Sequence, residues 1–272
     1  MAALDDNRLV RTFSELRAAG KKTLVPFITA GHPNLETTEA LLAEFERRGA
    51  RIVELGIPFS DPIADGPVIQ ASYTEALSEG ISSDKIFEMV SRYRAGGGQL
   101  ALAAMVSYSI VYRSGAEDYL SAAKEVGLDG LIIPDMPLEE AADLEPAAAA
   151  RGLANVMLIA PTTPPDRRLE IARRSRGFIY FISVAGITGE RKKLPETTIQ
   201  AVAELREHTH TPICVGFGIA RPNMVKTVCQ VADGAIVGSA IVHRIADAKD
   251  APRNELVSRI GRFISELLEP IQ

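Results

Sequence analysis

The stretch VELGIPFSDPIADGPVIQ (residues 53–70) opens as a strand and then breaks into a loop punctuated by Pro58, Pro62 and Pro67. It carries Glu54, Asp61 and Asp65 and neither lysine nor arginine. Side chains alternate across a strand, so in RIVELG (51–56) Ile52, Glu54 and Gly56 share one face and Val53 and Leu55 the other. A carboxylate on a strand face is costly unless it is protonated, paired or solvated. Which face Glu54 occupies therefore depends on the fold around it.

Working outward, seven further short runs rich in β-branched and other apolar residues read as strands: 24–30, 100–106, 130–135, 154–160, 177–183, 211–217 and 233–239. Longer segments with helical periodicity lie between them, among them LETTEALLAEFERRG, SSDKIFEMVSRYR, GAEDYLSAAKEVG, PLEEAADLEPAAAARG and PETTIQAVAELREH. Repeated strand–helix alternation predicts parallel βαβ units. The chain has 272 residues, close to the ~250 typical of a single (β/α)8 barrel. The prediction is one such TIM barrel over residues 1–272, with an extra N-terminal helix and a short helix before the last one. An open doubly wound sheet is the alternative, weakened because no G-x-G-x-x-G follows the first strand. In a barrel the outer strand face is apolar because helices cover it, which suits Val53 and Leu55 and turns Glu54 into the lumen. Catalytic groups of this fold gather at the C-terminal ends of the strands. The rigid acidic loop overhangs that end and can aim Asp65 or Asp61 at the lumen. Two carboxylates in unlike environments can divide acid and base roles. A Glu tied to backbone amides or to an arginine would be the structural alternative, and Ser-Asp-Pro at Asp61 is ordinary turn chemistry.

Three glycine-bearing turns, AGITGE (185–190), GFGIARP (216–222) and VGSAIVHRI (237–245), follow the sixth, seventh and eighth strands. Loops in these positions, with a short helix after them, suit a phosphate, because exposed amides and the helix dipole favour an anion. The short helix is expected in AIVHRI. The loop 185–195 carries Arg191, Lys192 and Lys193 and few apolar residues, which predicts a lid over the barrel mouth.

Other chemistries fit poorly. A Schiff-base aldolase needs a lysine in the lumen, and only Lys192 and Lys193 come near the mouth, in a polar loop. The four histidines show no metal-ligand spacing. Cys214 and Cys229 are the only cysteines, too few for a disulfide framework and compatible with a reducing cytoplasm. The N-terminal residues lack a signal-peptide pattern, no apolar run reaches transmembrane length, and the net charge of −5 gives no reason to expect nucleic acid or an anionic membrane as partner.

The residues VELGIPFSDPIADGPVIQ, SVAGITGERKKLP, VGFGIARP and DGAIVGSAIV, in this order and with PFITAGHP and IPDMPLEE, resemble the α subunit of tryptophan synthase over about residues 10 to 268. The resemblance implies cleavage of indole-3-glycerol phosphate to indole and glyceraldehyde 3-phosphate. It implies Glu54 as the acid/base, Asp65 as the second catalytic carboxylate, and Phe27, Tyr180, Thr188, Gly189, Gly218, Gly238 and Ser239 as substrate contacts. It further implies no cofactor in this chain, pyridoxal phosphate (PLP) in a partner β subunit, and an α2β2 assembly. After the third strand the sequence departs from the family pattern: MVSYSIVY places Ser107 and Ser109 where an aromatic residue and an amide are usual, so subunit coupling or pocket shape is expected to differ. Alternatives from the same residues are a stand-alone indole-glycerol-phosphate lyase, another phosphate-binding barrel such as an isomerase, and a non-catalytic barrel that docks on a PLP enzyme.

Overall fold

A computed structural model describes residues 2–62, 65–183, 195–216 and 218–272. The strands are β1 Thr23–Thr29, β2 Ile52–Gly56, β3 Ala101–Met105, β4 Gly130–Ile132, β5 Ala154–Ile159, β6 Ile179–Ile182, β7 Ile213–Gly216 and β8 Gly234–Val237. Each pairs in parallel with the next, and β1 pairs with β8 (Val25 opposite Ile236), so the sheet closes into a barrel. The open-sheet alternative is excluded by that closure.

Alternation along the strands sorts the side chains as expected. Val25 and Phe27, Ile52, Ala101 and Ala103, Val156, Tyr180, Cys214 and Ile236 form an inner cluster. Val53, Leu55, Leu102, Leu131, Phe181 and Val215 face outward into the layer packed by the helices. The inner cluster also takes in Leu9 and Phe13 from the helix Arg8–Ala18, which plugs the N-terminal end of the barrel. The Phe13 ring lies 5.6 Å from that of Phe178. Gly177, at φ +82, is required here, because a side-chain carbon at that position would stand 2.7 Å from Leu9 Cδ2.

The plug is fixed by polar groups. Asn7 caps its helix by accepting from Leu9 N (2.9 Å), while its Nδ2 donates to the carbonyls of Asp129 (2.6 Å) and Gly152 (2.7 Å). The Asp129 carboxylate, 2% exposed, accepts from Arg94 Nη2 (2.9 Å), Arg8 Nη1 (3.1 Å) and Leu102 N (2.9 Å). Removing one partner of a buried pair leaves the other charge uncompensated. Asp129→Ala is therefore expected to cost about 3–5 kcal/mol in urea unfolding. A loss below about 1 kcal/mol, within the range of an exposed ion pair, would show the network to be dispensable.

Several boundaries differ from the sequence reading. β4 is three residues long rather than six, and the helix expected from 137 runs Ala141–Ala150. Turns bridge the gap, with Met136 N bonded to Ile133 O and Glu140 N to Pro137 O. The acidic loop ends sooner than its prolines suggest: Pro67 is the first residue of the helix Pro67–Ser78, a position where a missing N–H costs nothing. Gly66 is its N-cap in ordinary extended geometry (φ −79, ψ 168). The short helix after β8 is present as Ser239–Asp247, followed by the last α-helix, Arg253–Leu268.

Candidate active site

Glu54 lies on the inner face of β2, in register with Phe27 of β1. It is fully buried, and neither carboxylate oxygen has a hydrogen-bond partner among the described residues. Among the described residues, therefore, no amide or arginine holds the carboxylate as the structural alternative requires. Burial pushes the Glu54 carboxyl well above the usual range, and the charge of Asp65 pushes it further the same way. Asp65 reaches the same region from the loop before Pro67–Ser78, and burial raises it from 3.8 to about 6. Gln70 Nε2 holds the loop by donating to the carbonyl of Asp65 (2.8 Å) and, at 3.3 Å, to that of Pro62. Asp61 is exposed and accepts from the neighbouring Ser60 hydroxyl at 2.8 Å, which is turn chemistry.

Gly56, two residues beyond Glu54 on the same face, leaves room for groups from elsewhere. A side-chain carbon there would stand 2.5 Å from Phe27 Cζ and 2.8 Å from the Tyr73 hydroxyl oxygen. Phe27 and Tyr73 thus occupy the layer between Glu54 and the mouth. Above them a cavity of about 460 Å3 is lined by Asp65, Tyr73, Ile57, Phe59, Met105 and Ser107, among others. It is large enough for a bicyclic aromatic with a short chain, and among the described residues no lysine or arginine lines it. Ser109 also lines it, and Ser107 donates to Asp135 Oδ2 (2.6 Å) while capping the helix Tyr108–Ser114. The two residues at which the sequence departs from the family pattern after the third strand thus lie in the wall of this cavity.

The remaining predicted residues fall into two groups. Tyr180 is buried on the inner face of β6, its hydroxyl 2.6 Å from where a side-chain carbon at Gly216 would sit. Burial raises its phenol well above the ordinary value, with Glu54 and Asp65 adding to the effect. Gly218, at φ +76, follows β7, and Gly238 and Ser239 follow β8 at the start of Ser239–Asp247. Ile241 N and Val242 N bond back to Gly238 O, whereas the first amides of a helix have no acceptor within it. Phe27 joins the two halves, because its ring also approaches within 3.4 Å of where a side-chain carbon at Gly238 would lie. Thr188, Gly189 and the lid predicted at 185–195 fall outside the described residues except for Pro195. Among the described residues no cluster of three or more His, Cys, Asp or Glu could hold a metal ion.

Sequence reasoning did not pick out Tyr73, Met105, Ile57 or Phe59. The signal for Tyr73 was present: Ile69, Ser72, Tyr73 and Ala76 make the buried stripe of an amphipathic helix, and Ser72 Oγ lies 2.7 Å from Thr29 Oγ1 at the end of β1.

The raised carboxyl of Asp65 has a stability consequence. The unfolded chain ionises it near 3.8 and the folded chain near 6, so stability falls as pH rises through that window. Asp65→Asn removes the loss. The variant is expected to match the parent in thermal unfolding below that window and to exceed it from about pH 6 upward. A variant less stable than the parent at neutral pH would mean that the Asp65 carboxylate makes a favourable contact that the structure does not show.

Comparison with known proteins agrees with this geometry. The chain is 46% identical to the tryptophan synthase alpha chain of Rhodopirellula baltica over 89% of its own length and 88% of the relative's. The crystal structure of tryptophan synthase subunit alpha from Legionella pneumophila superposes with a TM-score of 0.89 at 35% identity, covering 97% of this chain and 98% of that one. A tryptophan synthase structure from Mycobacterium tuberculosis gives 0.87 at 28% identity, covering 97% and 98%. The sequence profile described as tryptophan synthase alpha chain matches residues 13–267, and this chain belongs to that family.

Proposed function

We propose that Glu54 and Asp65 together carry out the family's reaction, the cleavage of indole-3-glycerol phosphate to indole and glyceraldehyde 3-phosphate in tryptophan biosynthesis. The observation that carries this reading is the pairing of a fully buried Glu54 with Asp65 at the C-terminal mouth of the barrel, with no hydrogen-bond partner for Glu54 and no cation to neutralise either carboxylate among the described residues. A carboxyl held above its ordinary range is able to give a proton and later take one back.

The chemistry balances with these groups alone. Neutral Glu54 protonates the indole C3, and the ring nitrogen takes up the positive charge. Asp65 stabilises that charge at the indole N–H. The bond from C3 to the hydroxyl-bearing carbon of the glycerol chain then breaks, and its electron pair returns to the ring. The hydroxyl proton goes to Glu54, its oxygen becomes the aldehyde, and Glu54 is again neutral. The cation missing from the acidic loop is thus supplied transiently by the substrate. Phe27 and Tyr180 bound the indole side, while Gly218, Gly238 and Ser239 hold the phosphate at the start of Ser239–Asp247, where helix amides favour an anion. Thr188 and Gly189 complete the contacts.

The family acts with a β subunit, and here the assembly is read as α2β2 in the cytoplasm. PLP chemistry belongs to the partner, and this chain needs no cofactor of its own. Tyr112, 71% exposed on the helix Tyr108–Ser114 beside the mouth, supports a partner on that face. Among the described residues no helix is long and apolar enough to cross a membrane.

The test is to supply indole-3-glycerol phosphate to the purified chain, with and without a tryptophan synthase β subunit. Indole and glyceraldehyde 3-phosphate are then measured separately. Equimolar release that accelerates with the β subunit is expected. Full activity without acceleration would favour the stand-alone lyase, and no release even with the β subunit would refute the lyase reading.

A further inference from the structure

Tyr73 is not accounted for by packing alone. It comes from the helix Pro67–Ser78, is 3% exposed, and lines the same cavity as Asp65. Its hydroxyl lies over Gly56, one layer toward the mouth from Glu54. Among the described residues that hydroxyl makes no hydrogen bond, whereas Ser107, the neighbouring hydroxyl on the cavity wall, is already bonded to Asp135. Burial, reinforced by the charges of Asp65 and Glu54, raises the phenol well above its ordinary value, so it stays protonated and acts as a donor. A free donor between the acid/base group and the substrate cavity has no structural purpose that the fold shows.

We propose that Tyr73 is a third polar group of the lyase site, whose hydroxyl donates a hydrogen bond to the substrate oxygen that loses its proton to Glu54. The inference rests on the lyase reading above. As that oxygen gives up its proton it carries growing negative charge until the C–C bond breaks and the carbonyl forms. Tyr73 keeps its own proton throughout and stabilises the charge. Donors aimed at developing charge act mainly on turnover, roughly 10²-fold for one such group.

The experiment uses the full chain with the β subunit and two ligands, indole-3-glycerol phosphate and the propanol phosphate analogue that lacks both chain hydroxyls. Binding is measured by calorimetry in the Glu54→Gln background, where the substrate is not turned over. Adding Tyr73→Phe is expected to weaken the hydroxylated ligand roughly 10-fold, the value of one hydrogen bond, and to leave the analogue within twofold. In the parent background Tyr73→Phe is expected to lower kcat by roughly 10²-fold with an unchanged thermal midpoint. Equal effects on both ligands, or no effect on either together with normal kcat, would overturn the proposal and leave Tyr73 as packing. If the Glu54→Gln protein binds neither ligand, the lyase reading itself fails and takes this inference with it.

Discussion

Glu54→Gln is expected to lose at least about 10²–10⁴-fold in kcat, the range for one positioned acid–base group. The upper end is expected because the same carboxyl is assigned both proton transfers. Asp65 is the other carboxylate at the site, and its place is beside the ring nitrogen. Glutamine has the shape of glutamate and no ionisation, so the barrel should tolerate it. The variant should also gain stability at neutral pH, because Glu54 in the folded chain resists an ionisation that the unfolded chain undergoes at an ordinary pH. Loss of turnover with raised stability is a combination that a purely structural Glu54 would not produce. Near-normal kcat in this variant would remove Glu54 from the reaction.

Gly238→Asp is expected to raise KM for indole-3-glycerol phosphate by roughly 10²–10³-fold while the protein still folds. A side-chain carbon at this position would lie 3.4 Å from Phe27 Cδ1, a contact the ring can accommodate, and φ there (−112) is not in the left-handed region that favours glycine. The new carboxylate would stand where the phosphate is placed, at the head of Ser239–Asp247. Two like charges about 4 Å apart at an effective dielectric of ~20 repel by about 4 kcal/mol, which corresponds to a loss of that size in affinity. Circular dichroism should be unchanged, and indole itself should bind as before. An unchanged KM for the phosphorylated substrate would move the anion site elsewhere.

How much of this was legible in the sequence depends on which physical rule each residue obeys. Strand alternation is a local rule, and it placed Glu54 in the lumen and Val53 and Leu55 outside, as found. The glycine turn after β8 and its short helix were equally local, because Gly-Ser before an apolar amphipathic run is a helix start. The contents of the space above Glu54 were not local. Tyr73 reaches Gly56 from a helix that begins at Pro67, within a stretch read as loop, and only the docking of that helix on β1 brings the phenol over the lumen. Met105 and Ser107 line the cavity because β3 is next to β2 in the closed sheet, a fact of topology rather than of sequence neighbourhood. The short β4 and the late helix start at Ala141 follow from turns through 133–140, whose prolines mark an interruption without saying how long it lasts.

Burial, unrelieved by any cation among the described residues, keeps the Glu54 carboxyl protonated far enough toward neutrality to act as acid and then as base. Infrared difference spectroscopy of the parent protein minus Glu54→Gln, taken across a pH series without ligand, reads this directly. The expected result is the band of a protonated carboxyl that is present in the parent, absent from the variant, and titrates with a midpoint clearly above the ordinary glutamate value of 4.5. A Glu54 signal that is fully ionised by about pH 5.5, as for an exposed glutamate, would contradict it.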